Sequence, residues 1–279
     1  MRGRDQVSGP QTDSAGDGDR ENGQRTDSAG NGAQEAFRRE VWLFEEWRKQ
    51  FERDGEAPAI PAATVVVLRD GPEGPESLML RRNSRIAFGG MWVFPGGRID
   101  DGDHDGTDDL IAAARNAAAR EAHEEAAIVL DAANLVHFSY WIPPPIAPKR
   151  FATWFFAARA PAEEVRIDDG EIVHHEWMTP ADAMQRRDAG EIELIAPTWV
   201  TLHTIEGFAT VADTLAGLAR RRPRRYETRI SDGEHGPISM WHGDAGYATG
   251  DASVPGPRHR LEIRPDGYLF DESGYTGEG

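Results

Sequence analysis

The stretch Phe94 to Ile128, "FPGGRIDDGDHDGTDDLIAAARNAAAREAHEEAAI", runs from a glycine pair through an acidic loop into an alanine-rich helix carrying Glu121, Glu124 and Glu125. At spacings of three and four the three carboxylates share one helix face, where each like-charge pair costs roughly 0.2–0.5 kcal/mol unless a cation lies among them. A metal ion would be such a cation. Taken alone, "REAHEEA" has the composition of an ordinary exposed helix; the strand and Pro-Gly-Gly turn ahead of it are what single it out.

The residues available narrow the choice of metal. There is no cysteine in the 279 residues, so disulfides and thiolate zinc sites are excluded, and a bound ion must be held by oxygen or imidazole. Such donors suit hard cations, Mg²⁺ or Mn²⁺. The net charge of −17, from 48 acidic against 31 basic residues, argues against non-specific binding to nucleic acid or an anionic membrane. Local basic clusters remain available for a small anion. A hydrophobic content of 39% is enough for a core without staples. The first residues, "MRGRDQVSGP", lack the apolar stretch of a secretory signal, and no run of about 18 apolar residues follows, so a cytoplasmic protein is expected.

Composition divides the chain into three parts: a disordered tail over 1–34, a main domain over 35–223 and a β-rich extension over 224–279. The tail contains the repeated "QTDSAG" and "RTDSAG" and almost no large apolar side chain, so it cannot offset its ordering entropy. From Ala36, Phe37, Val41, Phe44, Trp47 and Phe51 recur at helical spacing. Strands are expected at 61–70, 77–82, up to Phe94, and at 135–141, 150–159 and 171–178, with a helix over about 107–126. Thr179-Pro180 opens a short helix, and two more follow in "APTWVTLHTI" and "FATVADTLAGLARRR". Beyond "RRPRRY", the pieces "TRIS", "PISMWHGD", "RHRLEIRP" and "GYLFD" read as short strands.

A strand, Pro-Gly-Gly and, after a loop, Arg-Glu-x-x-Glu-Glu on a helix resemble the signature of the Nudix hydrolases, G-x5-E-x7-R-E-U-x-E-E-x-G-U with U apolar. Arg120, Glu121, Ala122, Glu124, Glu125 and Ile128 fall in register. Three features depart from it. Ala127 stands for the late glycine, and Gly97 to Arg120 spans 23 positions where the signature has 14. For the early glutamate, counting back from Arg120 lands on Ala112 and counting forward from Gly97 lands on Asp103; Asp100, Asp101 and Asp103 are all candidates to replace it.

The resemblance implies an α+β fold, an α/β/α sandwich around a mixed sheet, and metal-dependent hydrolysis of a diphosphate. Glu121, Glu124 and Glu125 would hold Mg²⁺ or Mn²⁺ with the Gly97 carbonyl, and Arg120 would fix a glutamate rotamer. The segments "LMLRRNSRIAFGGMWVFPGG", "WIPPPIAPKRFATWFF" and "GEIELIAPTWVTL" are similar to those of a branch that includes the peroxisomal coenzyme A and acyl-CoA diphosphatases. That branch implies a small-molecule nucleotide-diphosphate substrate, first CoA or acyl-CoA, and allows a homodimer. ADP-ribose, a dinucleotide or a nucleotide sugar are alternatives, as is a non-catalytic nucleotide-binding module. Arg81, Arg82, Arg85, Lys149 and Arg150 are candidate phosphate contacts, each weighed against a merely structural role. Glu191 and Glu193 are outside candidates for a general base. His123, His174 and His175 read as surface or core histidines, because neighbours on a strand point to opposite faces. Trp42, Trp47, Trp92, Trp154 and Trp177 read mainly as core.

Overall fold

Thirteen residues, Ala59–Gly71, form β1, and from Ala62 to Leu68 every one of them is buried. A strand covered on both faces is a central strand, and its alternation divides the core in two. Ala63, Val65 and Val67 face one layer, while Val66 and Leu68 face the other. The structure, a computed structural model, describes residues 19–83, 90–162, 164–167 and 170–277, with side chains from 32 onward.

Helix α1 (Asp19–Asp54) precedes β1, and β2 (Gly74–Arg82) returns from it as a hairpin. Two short strands, β3 (Trp92–Val93) and β4 (Gly96–Arg98), pair with β2 and β1 and frame the glycine turn. Helix α2 (Leu110–Ala126) then crosses one face of the sheet. Strands β5 (Val136–Ile142), β6 (Arg150–Arg159) and β7 (Ile172–Met178) follow. Parallel pairing of β6 with β1, from Ala59 opposite Arg150 to Leu68 opposite Arg159, makes the sheet mixed. Helices α3 (Pro180–Asp188), α4 (Ala196–Ile205) and α5 (Val211–Ala219) come next. The order across the main sheet is β3-β2-β1-β6-β5-β8, with β4 on β1 and β7 on β2.

Beneath the sheet α2 packs through Ala114, Ala117, Ala118, Ala122 and Ala126, small side chains that let the helix lie close. It starts at Leu110, later than the expected Thr107, because Asp109 caps it by accepting the Ile111 N–H. On the other face, Phe44 of α1 and Trp199, Val200, Leu202, Val211 and Leu218 of α4 and α5 join one core with the C-terminal segment.

That segment begins with β8 (Arg224–Glu227), which pairs in parallel with β5 in the main sheet. It continues as a second, antiparallel sheet of β9 (Arg229–Asp232), β10 (Pro237–Met240), β11 (Arg260–Arg264) and β12 (Gly267–Asp271). Tyr226 stacks on Trp141 with ring centroids 3.9 Å apart, and Trp241 meets both edge-on. At the other end, residues 1–18 of the expected tail lie outside the described residues, and α1 begins at Asp19, earlier than the apolar pattern from Ala36. The docked half of the helix, held by Phe44 and Trp47 packed together, nucleates the turns before it. Among the described residues no helix is long and apolar enough to cross a membrane.

Candidate active site

Arg120 is the knot of the site. Its Nε and Nη2 take the two oxygens of Asp103 at 3.0 and 2.9 Å, and Nη2 also donates to the Arg98 carbonyl. Nη1 donates to Glu121 at 2.9 Å and to Glu124 at 3.0 Å. The hydrogen bonds it donates to Asp103, then the one to Glu121, hold the guanidinium well above its ordinary pKa.

Asp103 is buried, accepts the Asp100 N–H, and has its own carbonyl bonded by Asn116. Of the two ways of counting the box, the forward count from Gly97 therefore finds the residue that the structure ties to Arg120, through the 3-10 turn Asp101–His104. Asp100 stands 3.7 Å from Arg120 on the exposed side.

The glycine turn is cut to fit the helix. A Cβ on Gly97 would collide with the Glu121 carboxylate, and one on Gly96 with the Ala63 carbonyl and the Thr64 side chain. The Gly96 N–H donates to Glu125 at 3.0 Å. Burial pushes the Glu125 carboxyl up to about 8 and also raises that of Glu121, despite Arg120 beside it. Behind them α2 ends at Ala127, whose φ of 54° makes it the one non-glycine residue in the left-handed region among those described. The signature's late glycine thus marks a helix end whose geometry this chain keeps with alanine, at a cost of roughly 1–2 kcal/mol.

These residues fit a divalent cation. Two poorly solvated carboxylates with raised pKa values need a positive partner, their donors are hard oxygens, and Gly97 opens the space that Glu121 fills. Among the described residues no three acidic or histidine side chains already converge as a cage, because Glu121 and Glu124 both turn to Arg120.

The acidic face opens into a cavity of about 920 Å³ that also receives Arg82, Lys149 and Glu193. Arg82 bonds Glu171 at 2.9 Å and its charge favours the ionised Glu125. Lys149 lies over the Phe151 ring. Arg81 is exposed and does not line the cavity, and Arg85 lies outside the described residues. Arg150 is not in the cavity either: it is buried against Glu56 and the Ala57 and Pro143 carbonyls, pinning the proline-rich loop. Glu193 is paired with Arg39 of α1, whereas Glu191 sits outside, 3.8 Å from Arg186. His123 and His174 are exposed and His175 is half-buried. Trp92 and Trp154 are core and Trp47 packs on it, Trp177 is half-buried under Arg69, and Trp42 is 57% exposed at the cavity. The inward role expected of Trp42 fails because α1 turns that side to the cleft.

Residues 59–197 match the NUDIX domain model. A NUDIX hydrolase from Alicyclobacillus acidocaldarius shares the fold, with 24% identity and a TM-score of 0.54 over 60% of this chain and 99% of that one. A MutT NUDIX hydrolase from Burkholderia pseudomallei is similar at 20% identity, TM-score 0.41, over 53% of this chain and 98% of its own. The NUDIX domain of Shewanella oneidensis NrtR, solved with ADP ribose, is similar at 16% identity, TM-score 0.41, over 56% and 94%. No curated protein sequence matches the chain.

Proposed function

We propose, for a chain that carries a Nudix domain over residues 59–197 and is on that ground a pyrophosphohydrolase of nucleoside diphosphates linked to another moiety, that the substrate is CoA or acyl-CoA. The observation that carries this reading is the meeting, in one cavity, of the Glu121, Glu124 and Glu125 face with the cations Arg82 and Lys149.

Divalent metal is the usual cofactor of such hydrolases, and here the three glutamates and the Gly97 carbonyl would hold Mg²⁺ or Mn²⁺. The bound ion supplies charge neutralisation at the diphosphate and lowers the pKa of a water. Arg120 keeps Glu121 and Glu124 in place and is itself fixed by Asp103. Arg82 and Lys149 would take phosphate oxygens. Water adds across the P–O–P bridge, so CoA yields 3′-phosphoadenosine 5′-phosphate and the phosphopantetheine half.

The test compares kcat/KM for CoA, dephospho-CoA, ADP-ribose and a nucleotide sugar in Mg²⁺ and in Mn²⁺. A cation left unpaired without the 3′-phosphate costs about 1–3 kcal/mol, so CoA should exceed dephospho-CoA by roughly 5- to 150-fold. A clear preference for ADP-ribose or the sugar would overturn the CoA reading and leave the diphosphate chemistry standing.

A further inference from the structure

The domain match stops at 59–197, yet the cavity wall continues beyond both ends. Trp42, Phe44 and Trp47 of α1 and Ile230 and Trp241 of the C-terminal segment line the same cavity as the three glutamates. Trp42 leaves 57% of its surface open, an arrangement that costs hydration unless a ligand covers the ring. Three of the polar groups on this side are already engaged. Glu40 accepts from Tyr268 and from Arg187, Glu193 is paired with Arg39, and Thr228 accepts the Trp241 indole N–H at 3.0 Å. A base or sugar pressed here would lose water at its polar edges and find only the Thr198 and Ser239 hydroxyls to replace it, whereas a hydrocarbon chain needs no partner.

We propose that this wall is a second subsite, which takes an aliphatic chain carried on the group across the diphosphate from the nucleotide. Trp42, Trp47 and Ile230 set its specificity. The assignment rests on the diphosphatase reading for its kinetic consequence, but not for the binding of the chain itself.

The experiment measures kcat/KM for CoA, acetyl-CoA, octanoyl-CoA and palmitoyl-CoA in the intact protein and in Trp42→Ala, with Trp42→Phe as the conservative variant. A fully buried methylene is worth about fourfold, so the constant should climb from acetyl to octanoyl and level off once the chain outgrows the wall. In Trp42→Ala the octanoyl-CoA to CoA ratio should fall about tenfold or more, and Trp42→Phe should restore most of it. Alongside, a fluorescent fatty acid is titrated into the metal-free protein and into both variants. Fatty acid binding that Trp42→Ala weakens, with no CoA ester cut, would sink the CoA reading and leave the subsite. Hydrolysis of CoA esters without dependence on chain length, together with no fatty acid binding, would sink the subsite and leave the CoA reading. A ratio unchanged in Trp42→Ala would also overturn the assignment.

Discussion

Two clusters dominate the molecule and are held by opposite means. Around Arg120, six hydrogen bonds to carboxylates and a carbonyl fix charged side chains at a half-open surface. Around Trp141, Tyr226, Trp241 and His259, buried rings stack and meet edge to face behind the cavity wall. The first arrangement sets positions while contributing little burial; the second contributes burial and has no chemistry to perform. Substitutions should therefore separate rate from stability.

The sharpest way to break that separation is Tyr226→Ala. Removing a ring that is 2% exposed and stacked on Trp141 should cost about 3–5 kcal/mol. Denaturant unfolding reads the loss, and the folded fraction should keep its specific activity.

Glu124→Gln is the opposite case. The side chain is 56% exposed and its amide oxygen can still accept from Arg120, so thermal stability should hold. Turnover should fall roughly a hundred- to a thousandfold, since on the proposed reading a neutral group would no longer hold the divalent ion. Loss of stability in step with rate would erase the contrast.

A smaller effect comes from pH. Burial holds the His259 imidazole below its ordinary 6.5, against the milder pull of the His242 carbonyl and of Glu272 at 3.9 Å. Arg224 opposes protonation and Asp244 favours it, while Tyr226, Trp241, Phe270 and Tyr275 enclose the ring. The unfolded chain binds a proton near pH 6.5 that the folded chain refuses, so this imidazole's contribution to stability is whole above that pH and is lost as pH drops below it. Urea midpoints measured through this range should lose more, or gain less, on acidification in the intact protein than in His259→Gln. His137, also lowered by burial, acts in the same sense, whereas Glu125 and Glu121, raised by burial, take up protons in the folded chain and act in the opposite one.

The smallest expected change is a gain. Ala127→Gly relieves the left-handed backbone at the end of α2, offset in part by a freer unfolded chain, for about 1 kcal/mol or ~2–4 °C in Tm. An unchanged or lower Tm would mean that the alanine methyl contributes packing of its own.

The Arg120 cluster was legible because its members are close in sequence and their spacing is that of a helix. Even Asp103 could be reached by counting from Gly97, since the residues added to the loop lie after it. The strands up to β7 were legible from β-branched and aromatic runs, except β4, whose "GGR" carries no such signal. By contrast β8 reads "RRYE", and nothing local marks four mostly charged residues as a strand of the main sheet; only the long-range pairing with β5 makes it one. Arg150 looked like a cation available for phosphate, but burial against Glu56 was invisible from a loop sequence. The cavity wall was equally hidden, because it joins Trp42 to Ile230 and Trp241 from opposite ends of the chain. Periodicity tells which side of a helix is apolar, not which apolar side chain meets a ligand.

The position of β8 also bears on how a chain of this kind avoids its own kind during synthesis. Until residues 224–227 emerge, the growing sheet ends in β5, a seven-residue strand with Phe138, Tyr140 and Trp141 and an unpaired row of peptide groups. Such an edge is a template for another unfinished chain. β8 replaces it with four residues, three of them charged and the tyrosine turned inward. A message or protease that stops the product short of Arg224 would leave the whole acidic helix built and the sticky edge bare, so truncated chains should be found in aggregates before they are found idle in solution.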